Sequence, residues 1–391
     1  MDTYDVVIIG GAATGSATAH HILRLDPRLD VAVVEREPTY EHCSTLRSDG
    51  NLRFQFNLEE NIRMSQYAFE LLDTFSDDMA IDDWRPQLAP KHQGNLFLTD
   101  EVNRAAALEG LGRQQSLGCD VEWLDADEIR SRWPQLGLVD GDVVGGTYGP
   151  RDGAIDPNAL LQGFRRNAMR LGADYLADAV TTIVRDGDRI AGVEVAGGER
   201  VDAAHVVVAA GAWSTSLLAT AGIDLPVEPV MRTVHVVEHD AELGEVPSVF
   251  LPNGLYALPE SPTSSQMAWS TEDDPVGFDF TYRRASFESL VWPELVGTLA
   301  GYDRLKLRSG WCGLYAMNML DQNAILGAWP GVEGLHVACG YSGHGFQHTP
   351  AMGRYLAERL TDAPVTLDLS RFSPQRVVDG VPLREHAGRI I

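Results

Sequence analysis

Two histidines stand four residues apart in "GYSGHGFQHTPAMGR" (residues 340–354), and His344 sits between Gly343 and Gly345. Side chains at that spacing share one face of a helix, so His344 and His348 could hold one metal ion. A metal site needs a further ligand at workable spacing, and none stands near this pair. The reading is no metal: the rings are polar parts of a site whose other walls come from elsewhere in the chain.

The opposite end carries a second chemical signal, "GGAATG" (Gly10 to Gly15). Gly10 allows a tight turn, and Gly15 lets the following helix pack closely on its strand. Between them Gly11, Ala12, Ala13 and Thr14 form the turn and the helix start, whose unpaired N–H groups and positive dipole end suit a pyrophosphate. Ala12 replaces the middle glycine of the G-x-G-x-x-G pattern and is the smallest substitution there. Glu35 follows Gly15 by twenty positions, where an acid binds the adenosine ribose hydroxyls. Together they predict a dinucleotide site. Arg36, next to Glu35, is read as packing on adenosine rather than as a phosphate ligand.

The elements that must position these residues follow from pattern. Residues 5–10, "DVVIIG", and 31–35, "VAVVE", read as buried strands on either side of a helix from about Thr14 to Leu25, a βαβ unit. An amphipathic helix is expected over about 58–75, and two more over 101–117 and 125–132. Asp156 and Pro157 read as N-cap and first position of another helix. A three-strand meander follows, with turns at Asp186-Gly187 and Gly197-Gly198. Strands and short loops are expected from Pro226 to about Gly310, then the strand "GLHVACG" and a closing helix from Gly345 to about Leu360. Dinucleotide-type elements thus occur at the start, middle and end. The predicted class is α/β (α+β overall): a Rossmann-like cofactor domain assembled from 1–77, 150–225 and 311–391, and an antiparallel-sheet substrate domain from 78–149 and 226–310.

Composition sets limits. The chain has 391 residues and a formal net charge of −25, which disfavours nucleic acid and anionic lipid as partners. No apolar run is long enough to cross a bilayer, and the N-terminus enters a strand at once, so the expected location is cytoplasmic. Cys43, Cys119, Cys312 and Cys339 form no CxxC pair and read as reduced thiols. The only lysines are Lys91 and Lys306.

The opening "YDVVIIGGAATGSATAHHIL…VAVVEREP" resembles the FAD-binding start of the D-amino-acid oxidase superfamily, in its glycine oxidase and sarcosine oxidase-like branch. "STLRSDGNLRFQF" resembles that family's loop under the flavin, "GAIDPNALLQGF" its central helix entry, and "VVVAAGAWS" its second FAD-contacting strand. "PNGLYALPE" resembles a substrate-domain strand, and "WCGLYAMNMLDQNAILG" and "GYSGHGFQHTPAMGR" its closing flavin motifs. The resemblance implies FAD, with contacts from Ser44, Thr45 and Leu46 in the loop, from Val180, Gly211 and Trp213 mid-chain, and from Gly343, His344, Gly345, Phe346 and Gln347 at the closing turn. That turn aims a helix N-terminus at the flavin, where its dipole stabilises negative charge. Asp321 and Asn323 match a structural turn.

The resemblance further implies oxidation of the C–N bond of a small amino acid or secondary amine by hydride transfer to the flavin, followed by imine hydrolysis. Arg53 is expected to take a carboxylate, Tyr256 and Gln347 to orient the substrate, and His344 to supply electrostatics to flavin and substrate. Oxidation of a 2-hydroxy acid, or a flavin-binding assembly protein without turnover, are the alternatives. Two departures limit the likeness. Gln347 stands where sarcosine oxidases place a carboxylate-binding lysine, and "SSQMAWS" lacks their lysine over the flavin, which leaves oxygen or another electron acceptor open. Some relatives attach flavin through a cysteine in the segment matching "WCGLYAMN". Aligning on Tyr315 puts Gly313 there, with Cys312 one residue off and on the other face of its strand, so the FAD is expected to be non-covalent.

Overall fold

The structure is a computed structural model that describes residues 3–239, 243 and 245–385. Two eight-stranded sheets organise it. In the first, Thr3–Ile9 lies between Val31–Val34 and Arg200–Val208, parallel to both, and Leu335–Cys339 runs parallel beyond Arg200–Val208. Ile325–Ala328 adds an antiparallel edge, and Asp174–Leu176 closes the other end. The meander strands Val180–Asp186 and Arg189–Val195 extend from Arg200–Val208.

The continuous apolar runs are explained by burial on both faces. Val6, Ile8, Val31, Val33 and Val207 pack under the helices, while Val7, Ile9, Val34, Val206 and Val208 pack under the meander. The first helix, Ala13–Leu25, and the closing helix, Gly345–Leu360, cross on the helical face. A Cβ on Gly15 would fall 1.9 Å from the Gly10 carbonyl oxygen, and one on Gly353 would fall 2.7 Å from the Ala17 Cβ. These two glycines set the strand–helix and helix–helix spacing. Asp156 caps the helix Pro157–Arg170 through the N–H groups of Asn158 and Ala159, as its sequence predicts.

The second sheet runs Leu305–Asn318, Val227–His239, Ser264–Trp269, Leu255–Ser261, Ser248–Phe250, Asn95–Asp100, Val143–Gly149, Glu122–Asp125. It is antiparallel except where Ser248–Phe250 meets Asn95–Asp100. Two details differ from expectation. Leu305–Asn318 is one unbroken strand paired with Val227–His239 along its length, so the break expected at 310/311 falls inside a strand. The stretch read as strands and loops also contains helical turns over Phe287–Thr298. There Phe287, Val291, Leu295 and Leu299 recur every fourth residue and bury one helical face against the second sheet. No helix among the described residues is long and apolar enough to cross a membrane.

Candidate active site

An elongated cavity of about 1760 Å³, its open mouth included, runs from the first strand–helix turn to the start of the closing helix. A smaller one of about 440 Å³ adjoins it and shares Ser48, Asp49, Tyr256, Tyr315, Gly343 and Phe346 with it.

At the first end, Gly10 has φ +99°, and a Cβ there would lie 2.6 Å from the Ala209 oxygen. Gly10, Ala12 and Thr14 line the large cavity at the helix start. Gly11, Ala13 and Gly15 stand behind the wall. The Gly11 N–H donates to the Glu35 carboxylate at 2.8 Å, and the Ala13 N–H to Thr45 Oγ1 at 3.4 Å. Glu35 is thereby fixed beside the turn, facing the cavity. The Arg36 guanidinium lies 3.8 Å over the Trp213 ring, a flat surface next to Glu35. Val180 and Gly211 complete this end, and Ser44 and Thr45 line the middle. Ser44 Oγ donates to the Leu314 carbonyl at 2.8 Å. Leu46 is a correction: it does not line the cavity, and its N–H turns inward to Cys43 Sγ.

At the other end, Gly343 (φ +104°) precedes the closing helix, and a Cβ there would strike the Tyr315 ring at 2.4 Å. Gly343, Gly345 and Phe346 line the large cavity, and His344 and Gln347 the small one. Both ring nitrogens of His344 are buried without a hydrogen-bond partner. Burial, then the charge of Arg53, lowers its pKa to about 3, so the ring is neutral. Burial thus disfavours a cationic His344 as a source of positive charge. His348 is engaged: its Nε2 lies 3.1 Å from the Gln347 amide nitrogen and 3.2 Å from Ser65 Oγ. Among the described residues, the one group with three ligand atoms close enough for a metal is Glu37, Glu41 and His42, well away from this pair in the sequence and partly exposed.

Gln347 does not have a free amide for substrate. Its oxygen accepts the Arg53 backbone N–H at 2.8 Å, and its nitrogen donates to Ser65 Oγ at 3.1 Å. A buried amide must satisfy both ends, and here protein groups do so. Its role is to brace the loop that carries Arg53.

Arg53 is 7% exposed. Its guanidinium lies over the rings of Phe56 (4.5 Å) and Phe97 (5.2 Å) and forms no side-chain hydrogen bond or ion pair with the described residues. Tyr256, on Leu255–Ser261, faces both cavities, with its hydroxyl toward Asp49. Burial, then the Asp49 charge, holds that hydroxyl protonated.

Asp49, Tyr315 and Arg232 are among the cavity-lining residues outside the sequence-predicted site set. Asp49 lines both cavities. Tyr315 does too, its hydroxyl pushed up to about 12 by burial and the Asp49 charge. Arg232 stacks 5.0 Å over Tyr315, pairs with Asp274, and leaves its buried Nε without a partner. Asp49 and Tyr315 fall within quoted motifs, but nothing in the spacing marks them. Arg308 pairs with Glu238, and Lys91 with Glu260; neither they nor Lys306 lines a cavity. Cys312 is buried with its thiol against the Asp279 carbonyl, and Gly313 faces the cavity.

The residues fit FAD. Glu35 would hold the ribose, the N-terminus of the first helix the pyrophosphate, and the Arg36–Trp213 surface the adenine. The glycine turn before the closing helix and the unpartnered His344 nitrogens would receive the flavin. This arrangement defines an FAD-dependent oxidoreductase. The chain matches the family model described as DAO, FAD dependent oxidoreductase, over residues 5–359, and it belongs to that family, whose cofactor is FAD. It is 33% identical over 420 residues to FAD-dependent oxidoreductase domain-containing protein 1 of Xenopus laevis, covering 97% of this chain and 84% of that one. It is 23% identical over 401 residues to sarcosine oxidase subunit beta of Arthrobacter sp, covering 100% and 95%. Its fold is similar to that of L-proline dehydrogenase from P. horikoshii, with a TM-score of 0.86 at 24% identity, covering 98% and 100%.

Proposed function

We propose that this protein oxidises the C–N bond of a small amino acid or secondary (N-alkyl) amine bearing a carboxylate, and that the imine product hydrolyses in water. Bound FAD supplies the two-electron acceptor that takes hydride from the carbon next to nitrogen. The observation that carries this reading is the buried Arg53 guanidinium at the small cavity, which lies against the Phe56 and Phe97 rings and forms no ion pair with an acid among the described residues. A desolvated cation of that kind calls for an anionic ligand, and its planar fork suits a carboxylate. Tyr256 and Tyr315 orient the substrate from the second sheet, and the closing helix borders the reacting end. FAD is assigned to the first sheet with its helices, and the substrate to the second.

The test is anaerobic bleaching of the bound FAD by amino acids and N-methyl amino acids, compared with 2-hydroxy acids. Bleaching by hydroxy acids alone gives the reaction to that class. Full flavin occupancy with no bleaching by any of them makes the protein a flavin-binding assembly component.

A further inference from the structure

The small cavity holds one guanidinium and one carboxylate that are not joined. Among the described residues, Asp49 is the only acid lining it, and it forms no ion pair with Arg53. We propose that Asp49 receives the substrate's ammonium group and takes its proton before the C–H bond breaks, so that the site selects a zwitterion over a 2-hydroxy acid. This rests on the reading that the protein oxidises a small amino acid or amine.

The loop is built to hold Asp49 in place. Asp49 Oδ1 accepts the Asn51 N–H at 3.1 Å, and its carboxylate faces the Tyr256 hydroxyl. Gly50, with φ +74°, lies so close to the next segment that a Cβ would fall 2.2 Å from the Ile155 oxygen. The Ile155 N–H bonds back to the Gly50 carbonyl at 3.1 Å. The charged and titratable groups around Asp49 are Arg53, Tyr256, Tyr315 and, beyond the tyrosines, Arg232. Both tyrosines are held protonated by burial, so neither accepts a proton.

The competing acceptors fail on position or basicity. His344 lines the same cavity, but burial and Arg53 hold its pKa near 3. Asp152 is occupied by the Phe54 N–H and the Gln55 amide and does not line the cavity. Burial raises the Asp49 carboxyl above the ordinary range, opposed by Asn51, Tyr256 and Arg53, which makes it the stronger base. In the step, one proton moves from the ammonium nitrogen to an Asp49 oxygen. The nitrogen keeps the electron pair of its broken N–H bond, and that pair is available for the C=N bond that hydride loss creates. A 2-hydroxy acid brings no positive charge for Asp49 to receive, and its hydroxyl is a far weaker acid than an ammonium group.

The test uses the FAD-loaded protein and its Asp49→Asn variant. Trimethylglycine and 3,3-dimethylbutanoate have the same shape and a common carboxylate, and only the first carries a cation. Titration followed by the flavin absorbance should show wild type preferring trimethylglycine by about tenfold or more, and the variant losing that preference. Bleaching by sarcosine and by L-proline, as rate over Kd, should be flat in wild type over about pH 6 to 8 and rise about tenfold per pH unit in the variant, which can use only the rare neutral amine. Equal affinity of wild type for the two ligands, failure of both to bind, or the same pH slope in both proteins overturns the proposal. If no amine bleaches wild type, the amine-oxidation reading fails on its own, and the ligand pair decides the role of Asp49.

Discussion

The side-chain oxygen of Gln347 accepts the backbone N–H of Arg53 at 2.8 Å, across 294 positions of the chain. The same amide donates to Ser65 Oγ and lies against His348 Nε2, both within 3.1 Å. One side chain thus ties the closing helix, the helix Glu59–Asp78 and the Arg53 loop together at the edge of the small cavity. Glu385 adds a second tie: its carboxylate accepts the N–H groups of Asn57 and Leu58 and the Asn61 amide just before and within the first turn of that helix, where the dipole favours negative charge.

Gln347→Leu keeps the volume and removes both ends of this tie. It leaves the Arg53 N–H and the Ser65 and His348 groups short of a partner. The expected loss is about 1–3 kcal/mol of stability, read by urea denaturation of the holoprotein, together with a raised KM. Unchanged stability would mean that the amide does not brace the loop.

Arg53→Met keeps an unbranched side chain against Phe56 and Phe97 and removes the charge. KM for a carboxylate-bearing substrate should rise by about tenfold to a hundredfold while FAD stays bound. An unaltered KM moves the carboxylate to Arg232, the other cavity-lining arginine of the substrate side.

Asp152 sets a pH dependence. It is fully buried, accepts the Phe54 N–H at 3.0 Å, and has its pKa raised to about 7, with burial as the largest cause. Because the folded protein holds this proton more tightly than the unfolded chain, its contribution to stability is present at low pH. It is lost as pH rises from about 4 to 7. Wild type should therefore lose stability relative to Asp152→Asn across that window, and parallel denaturation midpoints in the two proteins would contradict the assignment.

Local patterns carried much of the fold. The strand-turn-helix-strand unit ending at Glu35, the Asp156 cap and the closing helix from Gly345 to Leu360 are each written in contiguous residues, and the structure places them as read. What the sequence hid depends on distant pairing. Gln347 looked free for substrate because its partners sit near residues 53 and 65. Asp49 looked like any loop acid until Tyr256 and Arg53 were folded against it. The strand Leu305–Asn318 was split at 310/311 because its register with Val227–His239 leaves no local mark.

FAD should leave with acid. Cys312 points into the packing beside Thr233 and Asp279, and Gly313 takes the cavity-facing place. Acid precipitation should release the yellow colour to the supernatant. Colour kept in the washed pellet and lost in Cys312→Ala would overturn this.

The electron acceptor is the last expectation. Positive charge beside a reduced flavin speeds its reaction with oxygen by stabilising the developing superoxide. Here neither lysine lines a cavity, burial keeps His344 neutral, Arg232 is paired with Asp274 and Arg47 with Glu41, and Arg36 lies on Trp213 at the far end. Arg53 remains, and a bound substrate or product carboxylate would neutralise it. Reoxidation by oxygen should therefore lag behind reduction by substrate, and an artificial dye or quinone should restore turnover. Mixing substrate-reduced protein with air-saturated buffer in a stopped-flow instrument measures this directly. Reoxidation as fast as reduction, with one hydrogen peroxide per turnover, would make the protein an oxidase. Arg53 and Arg232 would then be the side chains to replace in search of the responsible charge.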